Sequence, residues 1–414
     1  MQRSRLFTSI DIGTFKITTL IGQYFDTDQK LNIIGAASVP ASGFKKGQII
    51  NLEQASHTIT ESIESAERMA GIEINSAFVS LTAPHFESLN SHGVTAVGNQ
   101  NGEISAEDIT RAVEAAKAIT LPSNKEIVHI IPRVFNVDGQ EGIIDPIGMN
   151  GVRLEVEAHL ILASTPALKN LNKCLEDIGI KTISLAYSGL TAAKACLSET
   201  ETELGVALID IGGSNTTITL FSENSPLFSS CLPIGANNIT ADLAIGLRLP
   251  LVDSEKIKIR LSHFSEKKGF EDEIDLQQFG VVADTFKISF STTLNGIIKP
   301  RLNEIISLVW NEICSHGYQS SIPAGLVLTG GGAETLEIKN VASEIIPLPV
   351  RIGEPPKVGG IVDDITNPSY SSAIGALLFF ANSKLASKSS SRQINFPLSG
   401  ILGKIKTFLE PLLP

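Results

Sequence analysis

Apolar positions along this chain fall into two rhythms, one of strands and one of helices. Near the start an apolar run ends in Ile10-Asp11-Ile12-Gly13, small and hydroxyl residues make a bend, and a second run from Ile17 to Gly22 leads back. That is the pattern of a hairpin. About 199 residues later it recurs: Ile209-Asp210-Ile211-Gly212-Gly213-Ser214-Asn215-Thr216 ends one run, and Ile218 to Phe221 begins the return. After the first hairpin, Leu31 to Ser38 predicts a third strand and Ala77 to Leu81 another. Between them Leu52 to Met69 carries Ala55, Ile59, Ile63 and Ala66 at helical spacing, on one face. A further buried-looking strand, Gly325 to Thr329, runs into Gly330-Gly331-Gly332.

The stretch from about Pro84 to Ala163 reads as a small unit of its own. Ser105 and Asp108 form an S-x-x-D capping box, and Ile109, Ala112, Val113 and Ala116 stripe the helix it starts. Two strands follow, Ile127 to Val137 and Val152 to Leu162. The second alternates Val152, Leu154, Val156, Ala158, Leu160 and Leu162 on one face with Arg153, Glu155, Glu157 and His159 on the other. An α+β segment of this length is too large for a loop. Pro132 and Gly142 read as strand-stopping or turning residues.

A different pattern closes the chain. Asn382 to Pro397, rich in serine, has little to pack and predicts a flexible tether of 16 residues, with a coil reach of roughly 20 to 24 Å. Beyond it Leu398, Ile401, Leu402, Ile405, Phe408, Leu409 and Leu412 recur at helical spacing within an arc of about 120°. Lys404 and Lys406 flank that arc, where they would snorkel to lipid headgroups. From Lys384 onward five basic residues face one acid, a charge of +4 on a chain whose net charge is −11. Anionic lipid attracts such residues by about 1 kcal/mol each. The helix has few cations, and Pro411 and Pro414 limit its last turn, so its membrane binding rests mainly on apolar burial.

Composition narrows the class. With 414 residues, 43% of them hydrophobic, the chain has material for two or more cores. Apolar stretches such as Gly375 to Ala381 fall far short of the ~20 residues of a spanning helix, and Asp11 interrupts the first apolar run early, so a first strand rather than a signal peptide is expected. Cys174, Cys196, Cys231 and Cys314 are scattered without a C-x-x-C pair, which predicts a reducing compartment. The acidic balance argues against a nucleic-acid partner. His129 and His159 lie on strands without a second ligand at metal spacing and read as packing or surface residues. No nucleophile elbow, H-E-x-x-H or triad is present.

The chemistry concentrates in the two bends. Glycine there lets backbone N–H groups approach an anion closely, and an aspartate at the strand end is placed to hold a hydrated divalent cation. Facing each other, two such hairpins would grip one triphosphate, and the three glycines at 330–332 clear a path for a flat ligand. The order of these elements resembles the phosphate-1, phosphate-2 and adenosine motifs of the actin, sugar-kinase and DnaK-type chaperone superfamily. Internal duplication fits that superfamily's two lobes around a cleft.

The segment His129-Ile-Ile-Pro132 through Asp138-Gly-Gln140-Glu141-Gly142 and Pro146-Ile-Gly148 to Gly151-Val-Arg153 resembles the inserted subdomain, called 1C, of the FtsA family of bacterial cell-division proteins. The likeness spans nearly the whole chain, including the Lys45-Lys46-Gly47 turn, Glu203-Leu204-Gly205, the Glu255-Lys256-Ile257-Lys258 helix, and Tyr370-Ser371-Ser372-Ala373-Ile374-Gly375, similar to a second hinge helix.

The resemblance implies a two-lobed, actin-like α/β fold of the duplicated ribonuclease H-like kind. Residues 1–83 and 164–198 would form lobe one, 84–163 the insert, 199–240 and 325–381 the inner second lobe, and 241–324 its outer part. It implies ATP as ligand, with Asp11 and Asp210 holding Mg²⁺ through water. Gly13, Thr14 and Lys16 would contact the phosphates from one side, and Gly212, Gly213, Ser214, Asn215 and Thr216 from the other. Gly235 would belong to the same site, Gly330, Gly331 and Gly332 would border the adenosine, and Glu255 and Lys258 would lie near the adenine. The second bend departs from the superfamily's Asp-x-Gly-Gly-Gly-Thr-x-Asp: Ser214 replaces glycine, Asn215 replaces threonine, and Thr217 stands where a second aspartate is common. Losing that carboxylate predicts binding with little or no hydrolysis.

Implied partners are the tail of the tubulin-like FtsZ on the outer second lobe, further copies of the chain in filaments, later membrane proteins of the division machinery, and an anionic membrane bound by the final helix. The expected location is the cytoplasmic face of the inner membrane at the septum. Two alternatives share the fold: a PilM-like pilus assembly protein, which would not need the tethered helix, and a small-molecule kinase. The kinase needs a general base, usually a first-lobe aspartate, and no acidic motif plainly fills that role.

Overall fold

Each repeated hairpin seeds a sheet, and the two sheets share one strand order. The computed structural model describes residues 4–25, 30–264, 272–281, 287–360 and 363–381. Strands Ser4–Ile12, Lys16–Phe25 and Lys30–Pro40 form an antiparallel meander, and Ser76–Leu81 then Lys181–Tyr187 add in parallel beyond the first strand. In the second lobe Val206–Ile211, Thr216–Ser222 and Ser225–Leu232 form the meander, with Leu326–Thr329 and Val350–Ile352 added in parallel. Register repeats as well. Asp11 lies opposite Thr18 and beside Ser80, while Asp210 lies opposite Thr217 and beside Thr329.

Two helices join the lobes. Ser188–Cys196 follows the last strand of the first sheet, and Ser371–Ala381 ends the described chain. The second is apolar nearly all round because it is buried nearly all round, in a cluster with Phe7, Leu20 and Phe78 of the first sheet. Phe78 and Phe380 stack with ring centroids 4.0 Å apart, and Ser9 Oγ donates to the Ala373 carbonyl at 3.0 Å. The two helices approach so closely that a Cβ on Gly375 would fall 1.8 Å from the Thr191 carbonyl oxygen.

Helix Leu52–Ala70 covers the first sheet with the expected face: Ala55, Ile59, Ile63 and Ala66 are buried, and Thr58 and Ser62 join them. Asn51 caps its start, accepting from Gln54 N, and Gly71 ends it at φ 67. Lys45-Lys46-Gly47 turns a small hairpin, Phe44–Lys45 with Gln48–Ile49.

In the insert, strands run in the order Glu87–Ala96, Arg153–Ser164, Lys125–Val137, Gln140–Ile143, all antiparallel, under helix Ala106–Lys117. The capping box forms, and Ile109, Ala112, Val113 and Ala116 are buried as their spacing predicts. Pro132 sits at a register shift of its strand, the place where a missing N–H does least harm. Alternation fails at two positions. Val152 is 76% exposed because it precedes the strand, its N–H held by the Asp138 carboxylate. His159, on the polar face, is buried because that face meets the second lobe's strand Ser225–Leu232. There His159 contacts Ser229 Oγ at 3.0 Å and Asn90 Oδ1 at 2.7 Å, Ser88 Oγ donates to the Ser229 carbonyl at 2.7 Å, and Asn90 Nδ2 donates to the Leu227 carbonyl at 3.1 Å. His129 is also buried, its Nε2 accepting from Tyr187 N at 2.9 Å. Both histidines are packing residues.

The tether and the final apolar helix, residues 382–414, lie outside the described residues. Among those described, no helix is long and apolar enough to cross a membrane.

Candidate functional site in the cleft between the lobes

Both bends open onto one cleft of about 290 Å³. In each, the glycine N–H closes the turn, Gly13 to the Lys16 carbonyl at 3.2 Å and Gly212 to the Asn215 carbonyl at 2.9 Å. The bends touch across the cleft, where Ser214 N donates to Thr14 Oγ1 at 3.2 Å. Gly330 takes a φ of +81, and a Cβ there would fall 2.2 Å from Asp210 Oδ1, so the third glycine-rich segment seals the floor only as glycine.

Lining the cleft are Asp11, Gly13, Thr14 and Lys16 from lobe one, and Asp210, Gly212, Gly213, Asn215, Glu255, Lys258 and Gly330 to Gly332 from lobe two. Three expected residues do not line it. Thr216 is fully buried and donates to the Ile234 carbonyl at 2.8 Å. Gly235 allows close packing under the bend, since a Cβ would fall 2.5 Å from the Gly212 carbonyl oxygen. Ser214 instead joins the two hairpins through its backbone. Residues that sequence reasoning missed include Phe15, Thr82, Asn237, Glu334, Ser369 and Ser372.

Ser372 matters most among these. Its hydroxyl donates to Asp11 Oδ1 at 2.8 Å and meets Ser80 Oγ at 2.7 Å and Thr191 Oγ1 at 3.0 Å, tying both connecting helices to the first aspartate. The residues lie 361 positions apart, so no spacing announces the pair. Its motif, Tyr370 to Gly375, gave the helix but not this contact.

Burial raises Asp11, partly offset by the hydroxyls of Ser372 and Ser80 and by Lys16. Burial pushes Asp210 up to about 7, and the charge of Asp11 adds to it. Lys16 is lowered to about 8 by burial, against the pull of Asp11 and Glu334. Its Nζ lies 3.7 Å from the centre of the Tyr370 ring and donates to Ser369 Oγ at 3.0 Å. On helix Leu251–Phe264, Lys258 Nζ donates to Glu255 Oε2 at 2.8 Å and Thr240 Oγ1 at 2.9 Å, and burial lowers its affinity for protons. Two half-buried carboxylates on one cleft, the charge of Asp11 disfavouring that of Asp210, are a donor set suited to a divalent cation. Among the described residues no cluster of three His, Cys, Asp or Glu is poised to ligate one directly. Asp11 and Asp210 therefore suit a cation that keeps much of its water.

The family profile described as "Cell division protein FtsA" matches residues 207–375, and that of the "SHS2 domain inserted in FTSA" matches 83–162. The chain is 34% identical to the cell division protein FtsA of Pseudomonas aeruginosa over 99% of both chains. Against FtsA of Bacillus subtilis it is 37% identical, over 92% of this chain and 84% of that one, and against FtsA of Escherichia coli K12 31%, over 92% and 91%. Among solved structures, a PilM-PilN type IV pilus biogenesis complex aligns with a TM-score of 0.61 at 14% identity, covering 95% of this chain and 99% of that one. MreB5 of Spiroplasma citri bound to ADP aligns with 0.53 at 15%, covering 94% and 99%. At such identities these two establish the actin-like fold alone. Full-length identity above 30% together with the matching insert places the chain in the FtsA family of cell-division proteins.

Proposed function

We propose that this protein is an actin-like cell-division protein that binds ATP in the interlobe cleft, joins FtsZ to the cytoplasmic membrane and helps assemble the division machinery at the septum. The observation that carries the nucleotide reading is the pair of matching bends facing each other, with Asp11 and Asp210 half-buried on the cleft wall between them. Lys16, with the close backbone approach that the glycines of both bends allow, suits the phosphates. Lys16 would exchange Ser369 and Tyr370 for a phosphate. Asp11 and Asp210 suit a hydrated Mg²⁺, which would neutralise phosphate charge. Gly330 to Gly332 leave room for the adenosine, with Glu255 and Lys258 at its base. A second copy would extend filaments, the outer second lobe within residues 241–324 would take the FtsZ tail, and the final helix would hold an anionic membrane.

Thr217, in place of a second carboxylate, leaves one aspartate on this side of the site, which favours binding over hydrolysis. Purified protein should bind ATP at micromolar to millimolar concentration, turn it over far more slowly than once per second, and co-sediment FtsZ with anionic vesicles. Failure to bind ATP at millimolar concentration would sink the nucleotide reading. Rapid ATP consumption dependent on a small-molecule acceptor would favour a kinase instead.

A further inference from the structure

We infer that Asn215 holds the water shell of the bound cation through its carboxamide oxygen, so that the site presents two carboxylates and one neutral amide. The inference rests on the nucleotide reading above.

Asn215 lines the cleft, is 2% exposed, and its Oδ1 has no hydrogen-bond partner. Hairpin register fixes its direction. Thr217 lies directly opposite Asp210, and the Gly212 N–H to Asn215 carbonyl bond carries the pairing one step past the strand, so Asn215, two positions before Thr217, lines the cleft on the same side as Asp210. The first hairpin supplies the matching case. Lys16 stands two positions before Thr18, which lies opposite Asp11, and the Lys16 side chain does line the cleft. Asn215 is thus the counterpart of Lys16, with the opposite hydrogen-bonding character: Lys16 only donates, and the unpartnered atom of Asn215 only accepts.

That polarity selects the ligand. A buried acceptor left without a donor is costly, so whatever completes the site should bring a donor to it. Phosphate oxygens bring none. Water coordinated to a cation does, and Mg²⁺ keeps several of its waters when held by one or two carboxylates and phosphates. A neutral acceptor here adds no third negative charge beside Asp11 and Asp210. Thr217 likewise leaves the position where a second aspartate is common uncharged.

The test measures ATP affinity of the full chain by titration calorimetry with Mg²⁺ and with EDTA, taking the ratio as the gain due to the cation. Partners in the outer shell of a metal typically contribute 10- to 100-fold to its affinity, so N215L should reduce that gain by about tenfold or more. N215D, which adds charge at the same place, should raise it. Metal-free thermal unfolding of each variant separates a misfolded protein from an altered site. If both variants keep the wild-type gain, or move it in the same direction, Asn215 serves an ordinary buried water or none and the inference fails. Wild-type protein that binds ATP equally with and without Mg²⁺ also overturns it, while leaving the nucleotide reading intact. Wild-type protein that binds no ATP overturns both.

Discussion

Burial and the neighbouring charge of Asp11 make the carboxylate form of Asp210 costly, so its proton is kept to higher pH. Its carboxyl is raised from 3.8 to about 7 in the folded protein, so between those values the folded state binds more protons than the unfolded one, and stability falls as pH rises. D210N should therefore flatten the decline in the metal-free thermal midpoint between about pH 4 and about pH 7, and should lose the stabilisation that the proposed function expects from Mg²⁺ and ATP. A variant as pH-sensitive as wild type would contradict this. His159 acts the other way. Burial lowers it from 6.5 to about 3, with Arg133 and His129 adding to the shift, so stability is full above about 6.5 and is lost as pH falls toward 3. His159→Gln does not titrate and keeps hydrogen-bonding capacity toward Asn90 and Ser229. It should show a shallower loss of stability in acid, read by denaturant midpoints at a series of pH values. Because the two effects oppose each other over part of the range, each is best seen in its own variant.

At the scale of elements, the crossing of helices Ser188–Cys196 and Ser371–Ala381 is the tightest test of the packing. With no room beyond Gly375, Gly375→Val forces the helices apart and should destabilise the protein by about 1 to 3 kcal/mol or more. Gly296 supplies the control. It lies in the π-helical turn Leu294–Ile298, where a Cβ meets nothing within 4 Å, so Gly296→Ala should be neutral or gain about 0.4 to 1 kcal/mol from the smaller backbone entropy of the unfolded chain. Equal urea midpoints for the two variants would show that the helices separate at no cost. The same crossing carries the link from Ser372 to Asp11, so the Gly375 variant should also weaken ATP binding.

For the whole molecule, the proposed function requires a membrane attachment that no described helix supplies by spanning, which leaves the final residues as the candidate anchor. The apolar face predicted for 398–414 is short, and folding it on a lipid surface costs about 1 to 2 kcal/mol of ordering entropy per residue, so one tail should bind reversibly. Linked tails gain about 10² to 10⁴ in avidity, so under the proposed function self-association of the bodies would act as the membrane switch. Phe408→Glu, or deletion of residues 398–414, should release the protein from anionic vesicles while ATP and FtsZ binding persist. A truncated protein that floats with vesicles as well as the full chain would mean that the tail is not the anchor.

Local pattern by itself determined the repeated hairpins, the helix faces at Leu52–Ala70 and Ala106–Lys117, and the two aspartates and glycine-rich bends of the cleft, because strand alternation, helical spacing, capping and glycine bends act within a few residues, whereas Lys16, Glu255 and Lys258 came from the family resemblance. Ser372 on Asp11, Lys16 against Ser369 and Tyr370, and the burial of His159 against Ser229 were decided only by the tertiary structure. Each joins positions tens to hundreds of residues apart across separate elements. Alternation could state that His159 and Glu157 share a face, but which part of that face meets another strand depends on where the insert lands. Likewise the sequence showed Asn215 as a departure from a pattern. Only the register of its hairpin, set by pairing with Val206–Ile211, turned it toward the cleft beside Asp210.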